Sequence, residues 1–86
     1  MPEISRFFGI VIRMYYDDHG IPHFHASYGD HEAKVGINPI QVIESEIPKR
    51  ALSLVLEWTA LHQKELAENW KLARDEQKLN KIIPLE

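Results

Sequence analysis

The chain has 86 residues, and none of them is cysteine. Disulfide bridges, thiolate metal sites and a cysteine nucleophile are therefore excluded, and the absence fits a protein of the reducing cytosol. The chain also lacks a run of about 18 apolar residues, so we expect no membrane-spanning helix. Its first residues, Met1-Pro2-Glu3-Ile4, lack the charged start and apolar core of a signal peptide. We therefore expect a cytoplasmic protein.

A strong charge and the motifs of common enzyme classes are also missing. The formal net charge is −3, whereas nucleic-acid-binding domains usually carry a basic surface. The charge therefore does not support nucleic acid as a partner. There is no glycine-rich phosphate loop, no Gly-x-Ser-x-Gly and no His-Glu-x-x-His. The length allows one domain, residues 1–86, with a small core, and association with a second copy or a partner would add stability.

The most informative stretch is Asp17–Gly29, which holds three of the five histidines. Its start, Asp-Asp-His-Gly, is typical of a turn, because Gly20 adopts a positive φ at little cost. Over residues 23–28 polar and apolar side chains alternate, which predicts a strand with His23 and His25 on its polar face.

His23 and His25 are candidate ligands of a divalent metal ion. His19, or an acid such as Asp17 or Glu32, would complete the ligand set. Imidazole and carboxylate donors suit zinc, manganese or iron, so a divalent metal such as zinc is a candidate cofactor, although the residues require none. The alternative is that these histidines lie at the surface beside a turn, or are hydrogen-bonded to the backbone.

Gly29-Asp30 predicts a two-residue hairpin loop, which fixes the register of the strands on either side. Tyr28 then pairs with His31, and His25 pairs with Lys34. An imidazole beside a cation makes His25 and Lys34 candidate catalytic residues that face an anion, as a nuclease would need. A cross-strand contact without chemistry is the alternative.

The apolar pattern predicts an α+β fold: an antiparallel meander of three or four strands with one long C-terminal helix packed on its apolar face. The strands are expected at 7–16, 23–28, 32–37 and 41–44. The helix is expected at 48–75, with Pro48 at its start, and a break near His62–Lys64 is the alternative. The tail, Ile82–Leu85, is expected to pack as an extended segment.

Two pairs of residues on the predicted helix are further candidates. Lys49 and Arg50 fall in the first turn, where the helix dipole disfavours cations, so they either bind an anion or pair with upstream acids such as Glu44. Trp58 and Trp70 lie on the apolar face as core residues or interface anchors. They are about 18 Å apart on a straight helix. We therefore expect a second subunit, a partner or the C-terminal tail to cover the region of Trp70.

The stretch His19–Gly29 resembles the signature of a small bacterial family catalogued as a domain of unknown function, number four-one-six-zero. The resemblance extends over nearly the whole chain and includes Met1–Phe7, Ile47–Ala51, Leu54–Trp58, Leu61-His62, Asn69-Trp70 and Ile83–Leu85. It implies a compact, cytosolic, bacterial protein whose gene often lies beside that of a second small protein, like a toxin–antitoxin module. It implies no catalytic residue.

Three functions follow as expectations. The first is a component of a two-gene module that acts through the small neighbouring-gene protein or through self-association. The alternative is a small metal- or phosphate-handling enzyme, nuclease-like, that uses His19, His23 and His25. The third is a DNA-binding regulator.

Overall fold

The computed structural model describes residues 2–86, which form a five-stranded sheet and two helices. The elements are β1 (Glu3–Phe7), β2 (Ile10–Arg13), β3 (His23–Tyr28), β4 (His31–Ile37), β5 (Ile40–Ser45), α1 (Lys49–Leu61) and α2 (Gln63–Arg74). The strands lie in the order β1-β2-β3-β4-β5, each antiparallel to its neighbour, so the predicted α+β class and antiparallel meander are confirmed. Met1, the first residue of the segment that resembles the family, lies outside the described residues.

The predicted strand at 7–16 is wrong, because a hairpin turn divides it. Phe8 and Gly9 have φ angles of 50° and 80°, and two consecutive left-handed residues make the tight turn that suits two right-twisted strands. Phe7 and Ile10 pair across this turn. The additional strand, β1, gives the sheet five strands instead of three or four.

The β3–β4 hairpin has the predicted register. Tyr28 pairs with His31 and His25 pairs with Lys34, with Gly29 in the left-handed conformation at φ 62°. This register places the apolar side chains of both strands on one face, where Phe24, Ala26, Ala33 and Val35 are almost completely buried.

The single helix predicted at 48–75 is also wrong, because His62 interrupts it. His62 has φ −125° and ψ 27°, and its N–H donates to the carbonyl oxygens of Trp58 and Thr59 at 3.1 and 3.2 Å. The break lies where the sequence analysis placed its alternative. Neither of the two helices within residues 2–86 is long and apolar enough to cross a membrane.

The two helices contact β3 from different sides. Trp58 of α1 packs against Phe24, with ring centroids 5.8 Å apart, and Trp70 of α2 packs against His23, with centroids 5.2 Å apart. Consecutive side chains of a strand point to opposite faces of the sheet. The prediction that one helix covers only the apolar face is therefore wrong.

The C-terminal tail, residues 77–86, has no helix or strand and packs along β1. The backbone N–H of Ile82 donates to the carbonyl oxygen of Ile4 at 2.8 Å. The indole N–H of Trp58 donates to the carbonyl oxygen of Ile83 at 2.9 Å. The tail thus covers part of the outer edge of β1.

Candidate metal centre

The side chains of Asp18, His23 and His25 form a compact cluster, which we call the Asp18 cluster. Asp18 Oδ2 lies 2.9 Å from His25 Nε2 and 3.3 Å from His23 Nε2. The three donor atoms all lie within 4.8 Å of one another. Two imidazole nitrogens and one carboxylate oxygen form a donor set that proteins use for zinc and for non-haem iron.

A strand and a loop build the Asp18 cluster. The two-residue period of β3 puts His23 and His25 on the same face, with ring centroids 5.3 Å apart. The connection from β2 to β3, residues 14–22, brings Asp18 over the same face. Gly20, at φ 92°, allows the chain to reverse before β3 begins.

The hydrogen bond of His23 Nδ1 determines whether Nε2, the other ring nitrogen, carries a proton or a lone pair. Nδ1 lies 2.7 Å from the carbonyl oxygen of Ile21. A carbonyl oxygen only accepts, so Nδ1 carries the proton and donates it. In the neutral ring, Nε2 then presents a lone pair to the Asp18 carboxylate. The lone pairs of His23 Nε2 and of the Asp18 carboxylate oxygen repel each other unless a positive charge lies between the two atoms. A second ring proton or a metal ion would supply this charge.

The same contact has the form of support that proteins give to metal-bound histidines. A ligating imidazole almost always donates its other N–H to a carbonyl or carboxylate, which fixes the tautomer and the orientation of the ring. His23 meets this description through Ile21. His25 Nε2 donates to Asp18 Oδ2 at 2.9 Å, so the same carboxylate oxygen contacts both rings.

Aromatic residues enclose most of the Asp18 cluster. The side chains of His23 and His25 are 6% and 13% exposed, and that of Asp18 is 23% exposed. Trp70 covers His23, and Tyr15 packs edge-on against His25 with centroids 4.7 Å apart. The imidazole face is therefore not open to solvent, because α2 turns onto it after the break at His62. Solvent reaches the cluster best from the side of Asp18.

The other predicted ligands lie outside the Asp18 cluster. His19 is exposed on the preceding turn and is not among the three converging residues. Asp17 lines a separate surface recess. Glu32 Oε1 comes no closer than 4.0 Å to His25 Nδ1 and is 57% exposed. Sequence reasoning named Asp17 as a candidate ligand and not its neighbour Asp18, because only the fold of the loop distinguishes the two carboxylates.

His25 has a cationic neighbour on each side in the sheet. Lys34 of β4 lies opposite it, as predicted, and Arg13 of β2 lies opposite it on the other side. Sequence reasoning missed Arg13, because the β2–β3 connection is too long to fix a register. Lys34 shares a surface recess with Glu44 and Glu46, so its catalytic role stays a prediction.

The remaining candidates lie on the helices. Lys49 and Arg50 are exposed in the first turn of α1, and no ion pair joins them to Glu44 in the part of the chain that the structure describes. Their anion-binding role stays a prediction. Trp58 and Trp70 are only 0% and 9% exposed, so the structure places them in the core and not at an exposed interface.

The covering of Trp70 comes from its own chain. His23 packs against it, and Arg74 Cζ lies 5.0 Å from the centre of its ring. The tail passes beside the preceding residue, where the Asn69 side chain donates to and accepts from the backbone of Asn80, both at 2.9 Å.

Comparison with known families agrees with the resemblance. The family model described as "Domain of unknown function (DUF4160)" matches residues 9–71. The chain belongs to this family. The part of this chain that matches the DUF4160 model, residues 9–71, contains Asp18, His23, His25 and Trp70. No curated protein and no solved structure matches the chain.

Proposed function

We propose that the protein binds one divalent metal ion through Asp18, His23 and His25, and that the ion is zinc. The observation that supports this is the carboxylate oxygen of Asp18, which contacts the Nε2 atoms of both imidazoles while Nδ1 of His23 is tied to a carbonyl. A metal ion between these atoms replaces a lone-pair repulsion with coordination bonds of about 2.0–2.2 Å.

We further propose that the metal has a hydrolytic role in the bacterial cytoplasm. Structural zinc sites usually have four protein ligands, whereas catalytic sites have three and leave one position for water. Zinc lowers the pKa of a bound water far enough to make it a nucleophile at neutral pH. Arg13 and Lys34 pair with His25 from the two neighbouring strands, and we propose that they stabilise negative charge on a phosphate substrate.

Metal binding by protein purified without a polyhistidine tag tests the proposal. We expect one equivalent of Zn²⁺ to bind in a calorimetric titration. Asp18→Asn and His25→Ala each remove a ligand and are expected to weaken binding at least tenfold, a conservative figure since even outer-shell changes cost about 10–100-fold. His19→Ala and His31→Ala, which remove exposed histidines outside the Asp18 cluster, are the matched controls and should bind as the wild type does.

Two results would overturn the proposal. One is the absence of saturable binding by the wild-type protein. The other is equal weakening by His19→Ala and His25→Ala, which would indicate surface imidazoles that bind zinc without a defined site.

A second candidate function, partner binding in a toxin–antitoxin-like module, is supported by β5. This edge strand pairs with β4, and Val42 and Ile43 on it are 41% and 40% exposed. Edge strands with exposed backbone groups accept a strand from another chain. The small neighbouring-gene protein implied by the family resemblance is the proposed occupant, and a second copy of this chain is the other.

Co-expression with the neighbouring gene tests the second candidate. We expect the two proteins to co-purify, and Ile43→Lys to weaken the complex, whereas Leu61→Lys, at a residue 65% exposed on α1, should leave it unchanged. Growth arrest by one protein alone that the other protein relieves would support the toxin–antitoxin role. A wild-type-like complex with Ile43→Lys would contradict the β5 surface, and a dimer in sedimentation would identify self-association.

A further inference from the structure

Arg74, in the last turn of α2, contacts the loop that carries Asp18. Its Nη1 donates to the backbone carbonyl oxygen of Asp18, and Nη2 lies 3.5 Å from that of Tyr16. These residues are 56 and 58 positions away in the chain. The guanidinium also lies 5.0 Å from the ring centre of Trp70, which covers His23.

We propose that Arg74 is a positioning residue for the Asp18 cluster. By donating to the carbonyl of Asp18, it holds this residue where its carboxylate reaches both imidazoles. The effect of Arg74 on metal affinity rests on the proposed metal centre, whereas its effect on the carboxylate does not.

The loop needs such an anchor because β3 already fixes the imidazoles but not Asp18. His23 and His25 are on a central strand, where two neighbouring strands and the packing of the rings restrain them. Asp18 lies in the middle of the connection of residues 14–22, away from the backbone hydrogen bonds that tie Met14 to Pro2 and Pro22 to Ile37 at its two ends. Sites built on loops are less precise than sites built on strands.

Arginine suits this task for two reasons. Its planar guanidinium presents several N–H groups in a rigid fork and stacks on aromatic rings, so it contacts two carbonyls and Trp70 together. Lysine has one flexible ammonium and cannot reproduce this. Within residues 2–86 Arg74 forms no ion pair with a carboxylate, so the backbone carbonyls are its polar partners.

The first experiment uses the protein without metal. Ring ¹⁵N NMR signals of His23 and His25 are compared among the wild type, Arg74→Gln and Asp18→Asn. We expect Arg74→Gln to shift both Nε2 signals towards those of Asp18→Asn, because the carboxylate has moved away. Lys71→Gln is the matched control, since Lys71 is exposed in the same last turn of α2 and should leave the signals unchanged. Unshifted Nε2 signals in folded Arg74→Gln would overturn the proposal.

The second experiment measures Zn²⁺ affinity in a double-mutant cycle. Loss of a residue that orients a ligand weakens metal binding about 10–100-fold, and we expect this for Arg74→Gln in the wild-type background. In the Asp18→Asn background the same change should have almost no further effect, since the ligand that Arg74 orients is already missing. Equal weakening in both backgrounds would show that Arg74 acts on the fold as a whole, which overturns the proposal. If the wild type binds no Zn²⁺, the metal centre fails, and the NMR comparison still decides the role of Arg74.

Discussion

His23 and Phe24 are neighbours on β3, and each packs against a tryptophan from a different helix. Phe24 meets Trp58 of α1 in an edge-to-face contact at 5.8 Å, and His23 meets Trp70 of α2 at 5.2 Å. The contacts are similar in distance but differ in what surrounds them. Phe24 lies in a continuous apolar core, whereas His23 has Asp18 and a backbone carbonyl as polar partners.

The same arrangement, a tryptophan packed on a side chain of β3, thus serves two purposes in this molecule. On the Phe24 side, the free energy comes from apolar area removed from water, and any polar group would be destabilising. On the His23 side, the tryptophan shields a polar cluster from water, which strengthens the electrostatic interactions within it. The predictions below test whether the first contact is structural and the second functional.

The largest effect is expected from Trp58→Ala. Trp58 is completely buried, and truncating a buried tryptophan lowers the free energy of unfolding by about 3–5 kcal/mol. Trp70→Ala should lower it less, because Trp70 is 9% exposed and its neighbours His23 and Arg74 are polar. Urea unfolding measures both values. Equal losses in the two variants would contradict the proposed difference between the two faces.

Phe24→His is expected to have the second largest effect. The new imidazole would lie against Trp58 in the apolar core and would lack a hydrogen-bond partner there. An unpaired buried polar group lowers the free energy of unfolding by about 1–3 kcal/mol, in addition to the effect of the lost apolar area. The variant should unfold at lower urea, and more so at acid pH, where the imidazole gains a charge. Phe24→Leu controls for the change of shape. If Phe24→His unfolds at the same urea concentration as the wild type, the apolar face of the sheet tolerates polar groups.

The reverse exchange, His23→Phe, should change stability much less. A phenyl ring keeps the contact with Trp70 and buries more apolar area, which offsets the lost hydrogen bond from His23 to Ile21. Zn²⁺ binding should nevertheless be lost, because Nε2 is gone. The pair of measurements, urea unfolding and calorimetric titration, separates packing from ligation. Retained zinc affinity in His23→Phe would remove His23 from the ligand set.

The smallest effect is expected at Glu3, which lies on β1 and contacts neither tryptophan. The hydrogen bond from Arg6, at 2.8 Å, lowers the pKa of Glu3 below its usual 4.5. A lowered folded-state pKa stabilises the fold above the unfolded-state value and loses that contribution as the pH falls through the folded-state value. Wild type and Glu3→Gln should therefore differ slightly at neutral pH and converge well below pH 4.5 in urea unfolding. A difference that persists in acid would point to a role for Glu3 other than its charge.

Local patterns were enough to predict the β3–β4 hairpin and the pairing of His25 with Lys34. Alternation and a Gly-Asp loop determine that register without help from the rest of the chain. The first hairpin was missed because Phe8 adopts a positive φ, a conformation that bulky residues rarely take.

The choice between one helix and a break near His62–Lys64, and the third member of the cluster, needed the three-dimensional structure. Buried positions continue with helical spacing from Val55 through Trp58 to Leu66. The spacing of apolar residues in the sequence therefore does not reveal the interruption at His62. The cluster could be predicted as far as its two strand histidines. The choice of Asp18 depends on a loop held from α2, a contact between distant parts of the chain that spacing does not encode.

The interruption at His62 has a consequence for the timing of motion in the molecule. Because the helical dihedral angles are interrupted at His62, we expect α2 to open as one cooperative unit while α1 stays on the sheet. The amides of α2 should then exchange with deuterium as a group, ahead of those of α1. Since that opening would also remove Trp70 and Arg74 from the Asp18 cluster, it would give an ion a second route of access besides the exposed side of Asp18.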